Sequence, residues 1–509
     1  MINILDTTNA SVGVIGAGLM GRGIAQALVS GGIQVRLFDA NTEACHAAIG
    51  SVCDMLQRSV SKGRITEEQF TAYKENLIAV EEVSRLKECG LVIEAIVEEI
   101  CAKKELFAKL DAQVNAGCIL ATNTSSLSVT EIASACSRPE RVAGLHFFNP
   151  VPVIKLVEVI AGVRTDNKIC EQLCRLVDSI GYQPIRVKDT PGFLVNHAGR
   201  PFTSEALRIV SERVAGYADI DHVMRDVAGF RMGPFELLDL IGLDTALAGM
   251  ESVYRRFYEE PRHRPVPEVA SRVAAGLLGR KTSAGFYRYQ DGERQQPSEP
   301  ALSAKLPNAV YLGGLDAFAK KAIAEMFEPL EVRIEQESLS GSEGPSLIAP
   351  LGYDVTTTVV QLGIDPKRSV AVDTLLGLES RVTLMVCPVT SKASRDEAAA
   401  LFLEAGRKVT MIADSPGFII QRMLACIINV ASEIAQLGIA EPNDIDRSVQ
   451  VALGYPFGPL KMGDQLGPDR VVTILERVLA ATGDPRYRPS LWLSRRARLG
   501  VSLMTSNPT

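Results

Sequence analysis

The sequence predicts an α/β chain with a repeated helical part. A doubly wound sheet domain with a dinucleotide site leads, and two all-α domains follow, separated by a degenerate α/β unit. Three observations carry this. Between Ser11 and Asp39 come a strand, a Gly-rich turn, a helix and a second strand ending in an acid. From Thr190 strand character gives way to amphipathic helical spacing. The string D-T-P-G-F-L-V-N at 189 then returns as D-S-P-G-F-I-I-Q at 414.

Composition sets the outer bounds. A chain of 509 residues suggests three or four domains at roughly 150 residues each. With 46% hydrophobic and 22% charged residues it is neither disordered nor fibrous. A net charge of −6 gives no footprint for nucleic acid or an anionic membrane. Polar residues break every long apolar run, so no transmembrane helix is expected. Met1 to Asn9 lacks the basic-then-apolar pattern of a signal peptide. The ten cysteines have no C-x-x-C spacing and read as reduced thiols of a cytoplasmic protein. The five histidines show no ligand spacing, so no metal site is expected.

Ser11 to Ile15 is a short apolar run suited to a buried parallel strand. It enters Gly16-Ala17-Gly18-Leu19-Met20-Gly21 and then an apolar helical stretch from Ile24 to Leu28. Gly16 makes the tight turn, Gly18 lets the backbone approach a pyrophosphate, and Gly21 allows close helix–strand packing. The helix N-terminus around Leu19 and Met20 would receive the phosphates. Val35 to Phe38 ends at Asp39, whose carboxylate suits a ribose diol and repels a 2′-phosphate, so NAD is expected over NADP. Together these residues make a Rossmann-type site, far more specific than an isolated G-x-G-x-x-G.

Two more buried strands are expected at Gly90 to Ile96 and Cys118 to Thr122. Ligands bind beyond the carboxyl ends of such strands, which places Glu98, Asn123 and Ser125 for chemistry. The same residues serve equally as Asx and Ser turn caps. Arg141 to Val159 carries a sharper signal. An apolar stretch ends at His146, a Pro-punctuated turn follows, and Glu158 stands inside the apolar K-L-V-E-V. A carboxylate there needs a partner, and a folded-back hairpin offers His146. That pairing fixes the imidazole tautomer and leaves its other nitrogen for substrate.

The chain resembles the L-3-hydroxyacyl-CoA dehydrogenase family. The matching strings are G-A-G-L-M-G at 16, E-A-I-V-E at 94, N-T-S-S-L at 123 and G-L-H-F-F-N-P-V-P-V at 144. K-L-V-E-V at 155, D-T-P-G-F-L-V-N at 189, G-P-F-E-L-L-D-L-I-G-L-D at 233 and R-K-T-S-A-G-F-Y at 280 continue the match. The resemblance implies hydride transfer between a 3-hydroxyacyl-CoA and NAD, with His146 as base and Glu158 orienting it. It also implies Ser125 and Asn196 on the substrate oxygens. Glu98, Lys103, Asn149 and Lys281 fall near the cofactor, and Lys62 near a CoA phosphate, with Arg64 adding charge. Met55 stands where the family has a Ser, and His197 where Arg is more usual. Within the family, the string A-G-R-P-F-T-S-E-A at 198 and the tandem helical parts resemble the type acting on 3-hydroxyadipyl-CoA in bacterial phenylacetate degradation. A short-chain 3-hydroxybutyryl-CoA enzyme is the alternative, and a non-catalytic NAD- or acyl-CoA-binding protein the alternative of another class.

The expected domains are residues 1–187 (NAD-binding), 188–290 (helical), 291–412 (linker and degenerate α/β unit) and 413–509 (second helical). Residues 290–308 read as linker. Repeated strings lie 225 residues apart throughout, as at Asp239, Gly242 and Asp244 against Asp464, Gly467 and Asp469. The α/β unit lacks a G-x-G-x-x-G; alignment through R-V at 381 sets Val386 against His146, and Gln421 answers to Asn196. The second half is therefore expected to be a scaffold or pseudo-partner. In families of this kind the helical domain commonly forms the dimer contact, which implies that the two helical domains pair within one chain. Further self-association into a homo-oligomer is left open.

Overall fold

The computed structural model describes residues 11–297, 305–335 and 344–507, which gather into two compact units. One runs to His197 and takes in Leu437–Leu453; the other holds Ala198–Gln436 and Gly454 onward.

The first unit is an eight-stranded sheet: β1 (Val12–Ile15), β2 (Val35–Phe38), β3 (Leu77–Val80), β4 (Leu91–Glu94), β5 (Ile119–Thr122), β6 (Val142–Phe147), β7 (Leu156–Ala161) and β8 (Gln183–Lys188). Their order is β3-β2-β1-β4-β5-β6-β7-β8. Every neighbouring pair is parallel except β6 and β7. The central strands β1, β4 and β5 are buried along their whole length, as continuous apolar runs require. Edge strands β3 and β8 were not expected; β8 (Q-P-I-R-V-K) carries a proline and alternating exposure, permissible only at an edge. The helix Pro442–Leu453 packs on β7. Lys188, closing β8, donates its backbone N–H to Ile439 O (3.1 Å) and its Nζ to Leu437 O (3.1 Å).

In the second unit, β9 (Arg288–Gln290) and β10 (Glu293–Gln295) form an antiparallel hairpin. It occupies the start of the expected linker, because strand pairing satisfies the backbone of a polar stretch; residues 298–304 lie outside the described residues. A six-stranded sheet follows: β11 (Ala309–Leu312), β12 (Arg333–Glu335), β13 (Ser346–Ile348), β14 (Ser369–Val372), β15 (Arg381–Val386) and β16 (Lys408–Ala413). Its order is β12-β11-β13-β14-β15-β16, parallel except between β14 and β15. The helix Tyr217–Asp226 packs on β15, Ala413 N–H donates to Val214 O (2.9 Å), and Asp226 pairs with Arg381 (2.9 Å).

This topology corrects the sequence alignment at Val386. The series β13 to β16 repeats the directions of β5 to β8, so β15 takes the place of β7 rather than β6. His146 pairs with Glu158 across β6 and β7, whereas Asp373 N–H bonds Thr383 O at the matching point. Asp373, not Val386, is the counterpart of His146, and Thr383 that of Glu158.

Asp373 is buried; its Oδ1 takes Gln421 Nε2 (3.1 Å) and Leu375 N–H (3.2 Å), while Oδ2 has no hydrogen-bond partner among the described residues. Burial pushes its carboxyl up to about 6, against the pull of those two donors. The unfolded chain ionises it near pH ~4. Stability therefore falls as pH rises from that value through 6, and the full cost is present above it. Asp373→Asn should unfold at a higher temperature than the parent at pH 8, the gap closing toward pH 4. A gap that does not change with pH would show that the carboxyl is not held in this way.

Candidate active site

At the mouth of the first sheet, β1 runs into a turn that leaves the helix Leu19–Ser30 without a side-chain cap. Its first N–H groups thus keep donor capacity for an anion. A Cβ on Gly18 would meet nothing within 4 Å, so the space a diphosphate needs lies open above the backbone. A Cβ on Gly21 would fall 1.7 Å from Gly16 O, so this close helix–strand approach excludes any side chain. Leu19 is exposed on the first turn and Met20 half-buried. Asp39 accepts Ala17 N–H (2.7 Å) and Asn41 N–H (2.9 Å), so one carboxylate joins the end of β2 to the Gly-rich turn. The residues present fit a dinucleotide.

Beyond β4 and β5 lies a carboxylate network. Glu94 is buried and accepts Lys103 Nζ (2.5 Å), Ile96 N–H (2.8 Å) and Thr122 Oγ1 (2.7 Å). Lys103 also faces Glu98 at 3.3 Å. Expected beside the cofactor, Lys103 is instead buried beneath the strand ends, its charge satisfied by two glutamates. Glu98 accepts Thr124 Oγ1 (2.6 Å), Ser125 N–H (3.0 Å), Ser126 N–H (3.1 Å) and Ser126 Oγ (2.9 Å). Burial opposes its charge, but the Thr124 hydroxyl, Lys103 and the serine donors outweigh this and hold it below the usual carboxylate range. Ser125 Oγ sits 3.4 Å from the same oxygen and is half-buried. Asn123 Oδ1 accepts Phe147 N–H (2.8 Å), tying this loop to the end of β6.

His146 and Glu158 face each other across β6 and β7, Nδ1 to Oε2 at 2.7 Å, both buried. The second oxygen of Glu158 accepts Leu194 N–H (3.0 Å) and Val195 N–H (2.9 Å) at the start of the helix Val195–Ser211. Asn196 follows directly and is half-buried. The imidazole lies against Phe148 (4.4 Å between centroids) and Phe193 (5.9 Å). With Nδ1 engaged, Nε2 is the nitrogen left for a ligand hydroxyl.

The remaining expected residues are dispersed. Asn149 is exposed in the turn after β6. Lys62 and Arg64 are exposed at the end of the helix Thr42–Ser61, with no ion pair among the described residues. Lys281 lies in the second unit, where it pairs with Asp244 (2.5 Å). Sequence reasoning passed over Glu94, whose signal was a carboxylate closing an apolar strand, a weaker form of the one inside an apolar run that singled out Glu158. It also missed Phe193, whose left-handed backbone (φ 47°) no composition rule announces. Among the described residues no three His, Cys, Asp or Glu side chains cluster as metal ligands, and no helix is long and apolar enough to cross a membrane.

A sheet of this order, with a phosphate turn after its first strand, defines a dinucleotide-binding domain. The model for the 3-hydroxyacyl-CoA dehydrogenase NAD-binding domain matches residues 11–190, and that for the C-terminal domain matches 192–289 and 417–505. The chain is 39% identical over 499 residues to the 3-hydroxyadipyl-CoA dehydrogenase of Escherichia coli K12, covering 98% of each chain. It is 42% identical over 286 residues to the human mitochondrial hydroxyacyl-coenzyme A dehydrogenase, covering 55% of this chain and 91% of that one. A crystal structure of 3-hydroxybutyryl-CoA dehydrogenase from Escherichia coli K12 superposes with a TM-score of 0.84 at 37% identity, covering 97% of this chain and 99% of that one. The chain belongs to the 3-hydroxyacyl-CoA dehydrogenase family, and it is an NAD-dependent oxidoreductase.

Proposed function

We propose that His146 is the base that takes the proton from a substrate 3-hydroxyl, and that Glu158 orients it and supports its charge. The observation that carries this is the buried 2.7 Å contact between Nδ1 and the carboxylate. Bound NAD would supply the hydride acceptor. Ser125 and Asn196 hold the substrate oxygens and, in the reverse direction, the polarised carbonyl. Glu98 supports the reading by fixing the loop that carries Ser125. Lys62, exposed and without an ion pair among the described residues, suits a CoA phosphate. The intact pair also speaks against a non-catalytic binding protein. His146→Gln should lower kcat by about a hundredfold to ten-thousandfold while NADH binding persists. Glu158→Gln should cripple turnover as well, and near-normal kcat in either variant removes the pair from the mechanism.

We infer selectivity for NAD over NADP from Asp39. A 2′-phosphate would bring its charge against a carboxylate already fixed by Ala17 and Asn41. Steady-state comparison of NADH with NADPH should favour NADH strongly, and Asp39→Ser should narrow the ratio. Equal kcat/KM for the two cofactors in the parent would refute the assignment.

The substrate we propose is a 3-hydroxyacyl-CoA whose acyl chain ends in a carboxylate, as in 3-hydroxyadipyl-CoA. The 39% identical relative bears that name over the whole chain. Arg200 adds a physical reason. It stands four residues after Asn196 along one helix; its Nε is enclosed without a partner and no acid pairs with it among the described residues. Burial pulls its pKa down to about 10. A ligand carboxylate would compensate this guanidinium. Arg200→Ala should reduce kcat/KM for the adipyl ester by about tenfold or more and leave the butyryl ester within about twofold. Equal losses on both would assign Arg200 to structure and favour the short-chain reading suggested by the 3-hydroxybutyryl-CoA crystal structure.

We also propose that the helical part is duplicated, copy one spanning 188–290 and copy two 413–509. The C-terminal-domain model matches in two stretches, in support. Asp189 accepts Val129 N–H (3.1 Å) and Thr130 N–H (2.7 Å), and Asp414, its counterpart, accepts Val355 N–H (2.7 Å) and Thr356 N–H (3.3 Å). The bond from Lys188 N–H to Ile439 O likewise answers to that from Ala413 N–H to Val214 O. Asp373, Thr383 and Gln421 stand in for His146, Glu158 and Asn196, which supports reading the second half as a scaffold or pseudo-partner.

A further inference from the structure

The contact between the two helical copies, which rests on the duplication proposed above, is symmetric in its backbone and asymmetric in its charges. Phe230 and Tyr455 occupy the same place in G-F-R-M-G-P and G-Y-P-F-G-P, and their rings meet edge to face, 5.0 Å between centroids. The turns Pro261–His263 and Pro485–Tyr487, from P-R-H-R-P and P-R-Y-R-P, correspond after a one-residue shift of the repeat and also face each other. Arg262 Nη1 donates to Arg486 O (3.4 Å) and Arg486 Nη2 to Arg264 O (3.1 Å). Elements that touch their own counterparts make a self-complementary surface. Such a surface would fit a second chain's copy as readily as its own.

The charges remove that ambiguity. Arg422, in the helix Ile419–Gln436, is fully buried. It donates to Glu205 (2.7 Å), Glu212 (2.7 Å), Ser415 (3.1 Å) and Tyr487 OH (2.8 Å), and Tyr487 OH donates to Glu205 (2.9 Å). Both acids belong to copy one and the arginine to copy two. By the repeat, the counterpart of Arg422 is His197, that of Glu205 is Val430 and that of Glu212 is Leu437. Two second copies brought together would set a buried arginine against Val430 and Leu437. Two first copies would leave the buried Glu205 with no arginine, and Glu212 with only the neighbouring Arg208 (2.6 Å). A second pair acts in the same sense. Arg262 meets Glu433 at 3.0 Å, and the counterpart of Glu433 is Arg208, so pairing of first copies would oppose two arginines. An unpaired buried charge is strongly destabilising, and a mismatch built against the wrong partner is how interfaces gain specificity.

We propose that Arg422 with Glu205, seconded by Arg262 with Glu433, is a recognition code that commits copy one to copy two of the same chain and closes this surface to the matching surface of a second molecule. Full-length Glu205→Arg, Arg422→Glu and the double exchange test it, read by unfolding midpoint and by mass in sedimentation. Each single variant should lose several degrees in midpoint and form larger species. The double exchange should recover most of the loss and the parental mass. Co-expression of the two single variants should yield a one-to-one complex, because positions 205 and 422 then carry opposite charges across both cross-chain contacts. Single variants with the parental midpoint and mass overturn the proposal, and so does a double exchange no better than the worse single. Should the exchanges fail to fold, the cycle of Glu205→Gln and Arg422→Gln serves, and purely additive midpoint losses there overturn it as well. Phe230→Cys with Tyr455→Cys, joined by a bismaleimide, reports the pairing itself. Absence of an intrachain cross-link counts against the duplication reading, whereas a cross-link beside additive charge variants counts against the code alone.

Discussion

The geometry of the site depends on one buried carboxylate. Glu158 sits in the middle of β7, where burial costs several kcal/mol unless every lone pair is engaged. One oxygen takes His146 and the other takes Leu194 and Val195, so a single side chain fixes β6, β7 and the entry of the following helix. The backbone at Phe193 serves that arrangement. Its left-handed conformation costs on the order of 1 kcal/mol for a side chain of this size, and it aims the next two N–H groups at one oxygen. In the repeated string, Phe418 is not among the left-handed residues and Thr383 stands where Glu158 would be. The strain accompanies the carboxylate.

The second organising feature is the pair of glutamates around Lys103. Glu94 holds the ends of β4 and β5 together from below, and Glu98 gathers four donors from Thr124, Ser125 and Ser126 from above. An ammonium between them offsets two negative charges where the sheet opens. The loop carrying Ser125 is therefore preorganised by charge-assisted hydrogen bonds rather than by packing. Asn123 carries that order across to Phe147, the neighbour of His146.

What the sequence disclosed follows from what kind of signal each residue leaves. The phosphate turn and Asp39 were legible because glycine spacing and strand length are local properties. His146 and Glu158 were legible because a charge inside an apolar run demands a partner. Strands β3 and β8 were not, since edge strands need no continuous apolar run. The fate of Lys103 and Lys281 was not either: an ion pair between a helix and the strand end and loop before it, or across tens of residues, leaves no periodicity behind it. The second sheet was misaligned for a related reason. Short buried strands resemble one another, R-V stands at the entry of β6 and at the start of β15, and only hydrogen-bond direction tells a β6 from a β7.

The repeat also sorts structural acids from chemical ones within a single chain. Asp189 and Asp414 both accept backbone N–H groups at a helix start. Asp239 accepts Phe286 and Tyr287 N–H groups, and Asp464 accepts Leu503 N–H, so each fastens the segment that closes its helical part. These acids recur because the backbone donors they satisfy recur with the fold, and losing one would strand buried N–H groups. Glu158 has no such recurrence. Its two backbone donors could be satisfied in other ways, as they must be where Thr383 stands, and the imidazole is the partner that only a carboxylate orients. Under the proposed reading, a buried acid kept in one copy and dropped in the other, together with its histidine, serves chemistry rather than folding. Asp373 marks the opposite outcome: a carboxyl left at the histidine's position, with one oxygen unpartnered and no imidazole to serve.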